Sequence, residues 1–255
     1  MAADRARLTA ALFAGGSVFP EDELDALAAA ASTDADLEAL VARRVAGEPI
    51  EYLVGWAEFA GLRLAVAPGV FVPRYRTEFL AGLAAGRVTS GQRLLDLGCG
   101  VGTIAAYLAS RVPGVVVTAV DVDPAACDCA RANLPGATVL LVGAPGELLP
   151  GPFDLIVANL PYVPSAEVAL MPRDARDHER LAALDGGPDG LGPLRLFAPA
   201  LAGLLAPGGR VLVEVAADQA SVAREILLDA GLARVGVRYD EEIEATVVEA
   251  SRDPR

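Results

Sequence analysis

The sequence predicts an α/β fold built on a mostly parallel sheet, with a small helical module before it. From about residue 92 onward, continuous apolar segments alternate with stretches of helical periodicity. Strands that are apolar on both faces and are separated by helices are typical of a parallel sheet covered on both sides. The last segment, "ARVGVRYDEEIEATVVEAS", has two strand-like runs around an acidic turn, and it predicts an antiparallel hairpin at the end of the sheet.

The residues before the sheet predict helices first and short strands afterwards. "PEDELDALAAAA" begins with proline and acids, and "STDADLEALVARRVAG" begins with capping side chains and ends in glycine. Both patterns mark helix ends. "WAEFAGLRLAVAPGVFV" then has the glycine spacing of a hairpin. We therefore expect a helical docking module over residues 1–47, a β-hairpin linker over 48–75 and the α/β domain over 76–255.

Five strands and four helices are predicted within the α/β domain before its C-terminal hairpin. The strand segments are "RLLDLG", "VVVTAVDVD", "ATVLLV", "FDLIVANL" and "RVLVEVA". The helices lie around residues 102–111, 124–134, 192–205 and 217–230. This alternation places the carboxyl ends of the parallel strands at one edge of the sheet, which is where open α/β sheets bind their ligands.

Composition limits the class of partner. The net charge is −13, and all 21 basic residues are arginine. Proteins that bind nucleic acid normally carry a basic surface, so DNA and RNA are disfavoured as substrates. No apolar run approaches the ~20 residues that cross a bilayer, and the N-terminus lacks the apolar core of a signal peptide. We expect a cytoplasmic monomer with no membrane contact.

The cysteines do not predict a metal site or a disulfide framework. Cys99, Cys127 and Cys129 are an odd number, they form no CxxC pair, and His178 is the sole histidine. Zinc sites normally need four such ligands at regular spacing. We expect buried thiols and no metal.

A glycine-rich loop follows the first strand of the α/β domain. Gly98, Gly100 and Gly102 allow the backbone to turn sharply and to approach a ligand without a Cβ in the way. The next strand ends at Asp121, where dinucleotide-binding folds place an acidic residue on the ribose hydroxyls. The spacing is GxGxG rather than GxGxxG, and the absence of lysine excludes a Walker nucleotide site.

The pattern "D-L-G-C-G-x-G" followed by "V-D-x-D-P" resembles the S-adenosylmethionine site of the Rossmann-like class I methyltransferases. The resemblance implies that the glycine loop wraps the methionine end of the cofactor while Asp121 holds the ribose. The cofactor-binding residues it implies are Asp96, Gly98, Cys99, Gly100, Val101, Gly102, Asp121 and Asn159.

The stretch "ANLPYVP" ends a buried strand with a stiff turn. Pro161 and Pro164 cannot donate ladder hydrogen bonds, so the strand stops near Asn159. "NLPY" resembles the [ND]-P-P-[YFW] motif of amino-group methyltransferases. The resemblance implies that Asn159 Oδ1 and the carbonyl of Leu160 accept the two hydrogens of an amide NH₂, and that Tyr162 offers its ring to the passing positive charge. The catalytic residues are then Asn159, Leu160, Pro161 and Tyr162.

Longer segments narrow the resemblance. The run from Gly47 to Glu78, "ALDGGPDGLGPLRL" and, more loosely, "LVEVAADQ" are similar to the protein-(glutamine-N5) methyltransferases that modify peptide chain release factors. The similarity extends from about Arg43 to the C-terminus. It implies methyl transfer from S-adenosylmethionine to the side-chain amide nitrogen of a glutamine in a release factor.

Three features depart from that family. The helical module is short, Ala144 stands where the family commonly has an acidic residue near the adenine, and Leu160 replaces a proline. Two alternatives stay open: a DNA or RNA amino-methyltransferase, because the same tetrapeptide motif serves nucleobase amines, and a degenerate paralogue that binds the cofactor without turnover, suggested by Leu160 and Ala144. Arg74 and Glu78, in "PRYRTE", either pair within the linker or line the site.

Overall fold

The N-terminal part of the chain is helical. A computed structural model describes residues 2–147 and 151–254 of the protein. The first four helices are α1 (Ala2–Ala14), α2 (Pro20–Ala30), α3 (Asp34–Val45) and α4 (Ile50–Val54). They share an apolar core whose buried side chains are Leu8, Leu12, Leu24, Leu27, Val41 and Leu53. This core is separate from those that cover the main sheet.

Helix α4 is a feature that the sequence pattern did not predict. Gly55 ends it in the left-handed conformation, at φ 80°, with its N–H donating to the Glu51 carbonyl. Leu53 is buried in the helical core, so α4 packs with the N-terminal helices. The expected hairpin follows it as β1 (Trp56–Phe59) and β2 (Leu62–Ala65), which pair antiparallel.

A seven-stranded sheet forms the rest of the fold. After the hairpin, the helices and strands are α5 (Thr77–Ala85), β3 (Arg93–Leu97), α6 (Thr103–Arg111), β4 (Val116–Asp121), α7 (Pro124–Asn133), β5 (Thr138–Leu141), β6 (Phe153–Ala158), α8 (Arg173–His178), α9 (Gly192–Leu204), β7 (Leu205–Val215), α10 (Ala220–Asp229), β8 (Ala233–Asp240) and β9 (Ala245–Ser251). The strand order is β5-β4-β3-β6-β7-β9-β8. In this order the first five strands, from β5 to β7, run parallel to one another. Strand β9 runs antiparallel to both β7 and β8. The predicted α/β fold, with its antiparallel C-terminal hairpin, is confirmed.

The two faces of the sheet are covered by different helices. Successive strand residues point to opposite faces, so Leu94 joins one core and Leu95 the other. Helices α5, α6 and α7 contribute to the first core, and α9 and α10 to the second. Apolar residues on both faces explain why the parallel strands read as continuous apolar runs.

The strand order reverses at β3, and this reversal positions the site. Strand β3 pairs with β4 on one side and with β6 on the other, and Leu97 of β3 lies opposite Ala158 of β6. The loops that follow these two strands therefore leave the same edge of the sheet, side by side. Within the described residues, no helix combines the length and the apolar character needed to cross a membrane.

Candidate active site

A cavity of about 770 Å³ opens at the carboxyl edge of the parallel strands. Its walls come from the loops after β3, β4 and β6, from residues 71–77, and from the segment between β6 and α9. This volume lies in the range of small-molecule sites, and the strand reversal at β3 is where such sheets bind ligands. The cavity is therefore the candidate active site.

The three glycines of the loop after β3 have different neighbours. All three are in the left-handed region, with φ of 70° at Gly98, 55° at Gly100 and 82° at Gly102. A Cβ on Gly98 would lie 2.8 Å from the Leu160 side chain, and one on Gly102 would lie 2.8 Å from Leu134. A Cβ on Gly100 would meet nothing within 4 Å. Gly100 therefore presents bare backbone to open space, whereas the other two glycines permit close packing.

Asp121 ends β4 at the wall of the cavity. One carboxylate oxygen accepts from the Gly100 N–H at 2.8 Å, and the other accepts from the Asp123 N–H at 2.9 Å. These two donors fix the direction of the carboxylate, and each oxygen retains a second acceptor position. Burial is the largest influence on Asp121 and raises the pKa of its carboxyl.

Asp96 lies beneath the loop and does not line the cavity. Its side chain is buried, and Oδ2 accepts from the Ala105 N–H, in the first turn of α6, at 3.1 Å. The other oxygen, Oδ1, has no partner among the described residues. Burial raises the pKa of Asp96 to about 7. This geometry supports the loop from below, and the direct cofactor contact implied for Asp96 stays a prediction.

Cys99 and Val101 line the cavity, whereas Gly102 lies behind it as the residue before α6. The Cys99 thiol is buried, and burial raises its pKa well above the usual value. A neutral, weakly polar thiol suits a wall that faces an organic cofactor.

Asn159 follows β6 and lines the cavity. Its Nδ2 donates to the Thr77 hydroxyl at 3.0 Å. Oδ1 has no hydrogen-bond partner among the described residues and is left as an acceptor. Thr77 is buried at the start of α5, so a contact between two distant parts of the chain sets the direction of the Asn159 amide.

Leu160 is buried, with its side chain against the glycine loop. Its carbonyl, not its side chain, is the group implied in substrate binding, and Leu160 and Pro161 both line the cavity.

Tyr162 closes the turn and is held by a buried carboxyl. Its hydroxyl donates to Glu214 Oε1 at 3.2 Å. Glu214 lies near the end of β7 and is 2 % exposed. Burial is the main cause that raises the pKa of both groups, that of Glu214 to about 7. Tyr162 belongs to the "NLPY" motif and Glu214 to "LVEVAADQ", and neither segment by itself predicts that the two side chains meet.

Two of the segments that carry the family resemblance pack against this turn. Gln219 Nε2 donates to the Tyr162 carbonyl at 2.7 Å and to the Asp189 carbonyl at 3.0 Å. A Cβ on Gly190 would lie 2.1 Å from the Tyr162 carbonyl oxygen and 2.2 Å from Gln219 Nε2. The glycine of "PDGL" and the glutamine of "ADQ" are therefore parts of the support behind the turn.

Arg74 and Glu78, which the sequence left undecided, have separate partners. Arg74 lines the cavity and pairs with the buried Glu179. Glu78 accepts from the Ala60 N–H at 3.1 Å and so binds the hairpin. His178 ends α8 and lies outside the cavity wall.

Comparisons with known proteins agree with this geometry. A family model described as "Methyltransferase small domain" matches residues 63–173. A release factor glutamine methyltransferase of Moorella thermoacetica is 39% identical over 203 residues, which cover 75% of this chain and 70% of the relative. One of Geobacter sulfurreducens is 42% identical over 185 residues, which cover 71% of this chain and 65% of the relative. The chain thus spans slightly less than two thirds of the Geobacter protein.

Solved structures share the fold at low identity. A methyltransferase from Pyrococcus furiosus aligns with a TM-score of 0.57 and 19% identity, covering 83% of this chain and 97% of that one. A ribosomal protein L11 methylase from Lactobacillus delbrueckii subsp. bulgaricus aligns with a TM-score of 0.55 and 18% identity, covering 74% and 84%. These likenesses establish the class of fold, and the sequence relatives establish the family: the chain belongs to the release factor glutamine methyltransferases.

Proposed function

We propose that this protein transfers a methyl group from S-adenosylmethionine to the side-chain amide nitrogen of a glutamine in a peptide chain release factor. One observation carries the proposal. The "NLPY" turn lies beside the glycine loop, and its Asn159 spends Nδ2 on Thr77, leaving Oδ1 as an acceptor at the cavity. An acceptor in that place suits a substrate that presents an NH₂ group.

The residues of the cavity fit the cofactor. Gly100 leaves open space where any other residue would place a Cβ, and Asp121 offers fixed carboxylate lone pairs to a pair of hydroxyls. Gly100, Cys99 and Val101 would hold the methionine end, and Asp121 the ribose. When bound, the cofactor supplies a methyl group made electrophilic by its attachment to a sulfonium.

The chain's own contribution is to position the nitrogen. An amide nitrogen is a weak nucleophile because its lone pair is delocalised into the carbonyl. Asn159 Oδ1 and the Leu160 carbonyl accept its two hydrogens, which turns the lone pair toward the methyl group. With the cofactor held by the glycine loop and Asp121, its methyl group would pass to the nitrogen while the electron pair of the S–C bond would stay on sulfur, and the nitrogen, held by Asn159 and Leu160, would lose one of its two hydrogens as a proton to water.

Tyr162 is suited to stabilise the charge during this step. Its hydroxyl is held by Glu214, so the ring keeps a constant orientation at the cavity wall. A π face near a developing cation is stabilising by about 0.5–2 kcal/mol. Burial keeps the phenol protonated because it raises its pKa, and the ring remains neutral.

The similarity to release factor glutamine methyltransferases supports a protein substrate, and the composition agrees. With a net charge of −13, the protein gains little from phosphate contacts. Four further properties remain predictions. The protein is expected to be a monomer, to act in the cytoplasm, not to bind nucleic acid, and to dock its substrate through residues 1–47.

The test is mass spectrometry of a release factor incubated with the protein and S-adenosylmethionine. The expected result is one added methyl group on the glutamine of its Gly-Gly-Gln loop, absent with the Asn159→Ala variant. Methylated nucleic acid with unmodified release factor would support the amino-methyltransferase alternative instead. Cofactor binding without any transfer would support the degenerate paralogue.

A further inference from the structure

Thr77 joins the catalytic turn to a different part of the chain. Its side chain is 3 % exposed, and its hydroxyl oxygen accepts from Asn159 Nδ2 at 3.0 Å. A threonine hydroxyl has one hydrogen to donate. Because the oxygen is already accepting from Asn159, that hydrogen must point to another acceptor.

Glu214 is the acceptor beside it. Its carboxyl accepts from Tyr162 through Oε1, while Oε2 has no completed hydrogen bond among the described residues. Thr77 lies close enough to this carboxyl to lower its pKa as a hydrogen-bond donor does. An ionised carboxylate has no hydrogen to give, so toward both neighbours it can act only as an acceptor, and its buried Oε2 is the acceptor available to the Thr77 hydroxyl hydrogen.

While Glu214 is ionised, the donors and acceptors in these hydrogen bonds can be assigned in one way. If the Asn159 amide group were flipped, Oδ1 would face Thr77. The Thr77 hydroxyl would then have to donate its hydrogen to Oδ1 instead of to the carboxylate. The carboxylate would then be buried with one donor fewer, which is costly. Nδ2 would also replace Oδ1 at the cavity and would repel a substrate NH₂ group.

We propose that Glu214 and Thr77 are positioning residues, which hold the Asn159 amide with Oδ1 toward the cavity. Glu214 also fixes Tyr162, so one buried carboxylate sets the two side chains of the turn. This inference rests on the proposed function, in which Asn159 Oδ1 accepts from the substrate amide.

The arrangement makes turnover sensitive to pH. A protonated Glu214 can donate, so it no longer dictates where the Thr77 hydrogen points. Burial raises the pKa of Glu214 to about 7. The charged or titratable groups that face it are Arg76, which lowers its pKa, and Tyr162, which burial keeps protonated. We expect kcat to fall as the pH drops below about 7.

The first measurement compares Thr77→Val with Thr77→Ser. The valine variant should lower kcat on a purified release factor about tenfold or more, the value of one directed hydrogen bond. Its KM and its affinity for S-adenosylmethionine should change less than about twofold. Serine should restore most of kcat. The matched control is Thr246→Val, which removes a buried hydroxyl that has no partner among the described residues and should leave kcat unchanged.

The second measurement is the pH profile of kcat for Glu214→Gln. This measurement tests the inference even if Thr77→Val fails to fold. The variant should lose the fall in kcat on the acid side, whereas a purely structural role would lower stability and leave the profile unchanged. An unchanged kcat in Thr77→Val, or an unchanged acid side in Glu214→Gln, would overturn this inference alone. Failure of the wild-type protein to methylate any release factor would overturn the proposed function and this inference with it.

Discussion

The Leu160 side chain occupies the space that a Cβ on Gly98 would need, with its Cδ2 2.8 Å from that position. The "NLPY" turn and the glycine loop are therefore interlocked. The chain carries leucine where related motifs carry proline, and the leucine fills the contact between the two loops. A substitution in either segment is therefore expected to alter the packing of the other.

The first prediction concerns this contact. Gly98→Ala should lower the free energy of unfolding by about 2–4 kcal/mol, because the new methyl group meets Leu160 and because alanine is strained at positive φ. Chemical denaturation measures the loss. Adding Leu160→Ala should recover part of it, since the smaller side chain makes room.

The matched control is Gly100→Ala, which shares the positive φ but has open space around the new Cβ. It should cost about 1–2 kcal/mol from backbone strain and should weaken cofactor binding, since the methyl group enters the cavity. Equal stability losses in the two variants would contradict the interlocking of Gly98 and Leu160.

The second prediction is that Leu160→Pro preserves methyl transfer. The group that accepts from the substrate is a backbone carbonyl, which proline retains. The loss of a buried leucine side chain should cost stability by about 1–3 kcal/mol. Steady-state kinetics and thermal unfolding separate the two effects. Loss of kcat in a folded variant with normal cofactor affinity would show that the turn needs leucine for its geometry.

The third prediction concerns Asp121. Asp121→Ala should weaken S-adenosylmethionine binding by about 1–3 kcal/mol, since it removes ribose hydrogen bonds and frees the Gly100 N–H. Calorimetry measures the change. Asp154→Ala is the control: Asp154 lies near the amino end of β6 and accepts from the Arg93 N–H at 2.8 Å. The control should keep its affinity, and unchanged affinity in Asp121→Ala would refute the ribose role.

The fourth prediction is a pH dependence of stability that originates at Asp96. Burial raises its pKa from 3.8 to about 7, so the folded protein binds more protons than the unfolded chain between these values. Stability should therefore be greatest below about pH 4 for this group and should fall as the pH rises to 7. Asp96→Asn should remove the fall, because the side chain has no charge to bury.

The comparison is made on the cofactor-free protein by denaturation between pH 5 and 8. The variant's stability relative to wild type should grow with pH by a few kcal/mol, at about 1.4 kcal/mol per pKa unit. A constant difference across this range would mean that Asp96 is ionised without cost in the folded protein.

The sequence predicted much of the fold because the parallel strands are apolar on both faces, and because glycine and proline mark the loops after β3 and β6. It also predicted the cavity wall at Gly100, Asp121 and Asn159, since a loop after a strand must lie at that edge. Thr77 and Glu214 were not predicted as site residues. Their role requires that the start of α5, the end of β6 and the end of β7 lie close together in the fold. No local sequence pattern encodes this proximity.

Helix α4 shows the same limit on a shorter scale. Its five residues are too few for a helical period to be recognised, and Leu53 makes it a helix by packing into the N-terminal core. Tertiary contacts, not propensity, decide such short elements.

The last prediction is that Asn159→Ala abolishes methyl transfer while leaving the cofactor bound. Oδ1 acts on the substrate nitrogen as it is aligned, so its loss should lower kcat by about 10²-fold or more, the scale seen when one preorganised hydrogen-bonding group is removed from an active site. Calorimetry should find S-adenosylmethionine affinity within about twofold, because Gly100 and Asp121 are untouched. Gln92→Ala is the control; this amide oxygen accepts from the Thr89 N–H at 2.8 Å, before the amino end of β3 and outside the cavity wall, and its loss should affect stability without lowering kcat. Equal loss of cofactor affinity and of kcat in Asn159→Ala would instead place Asn159 in cofactor binding, and the alignment of the substrate amide would then have to come from the Leu160 carbonyl alone.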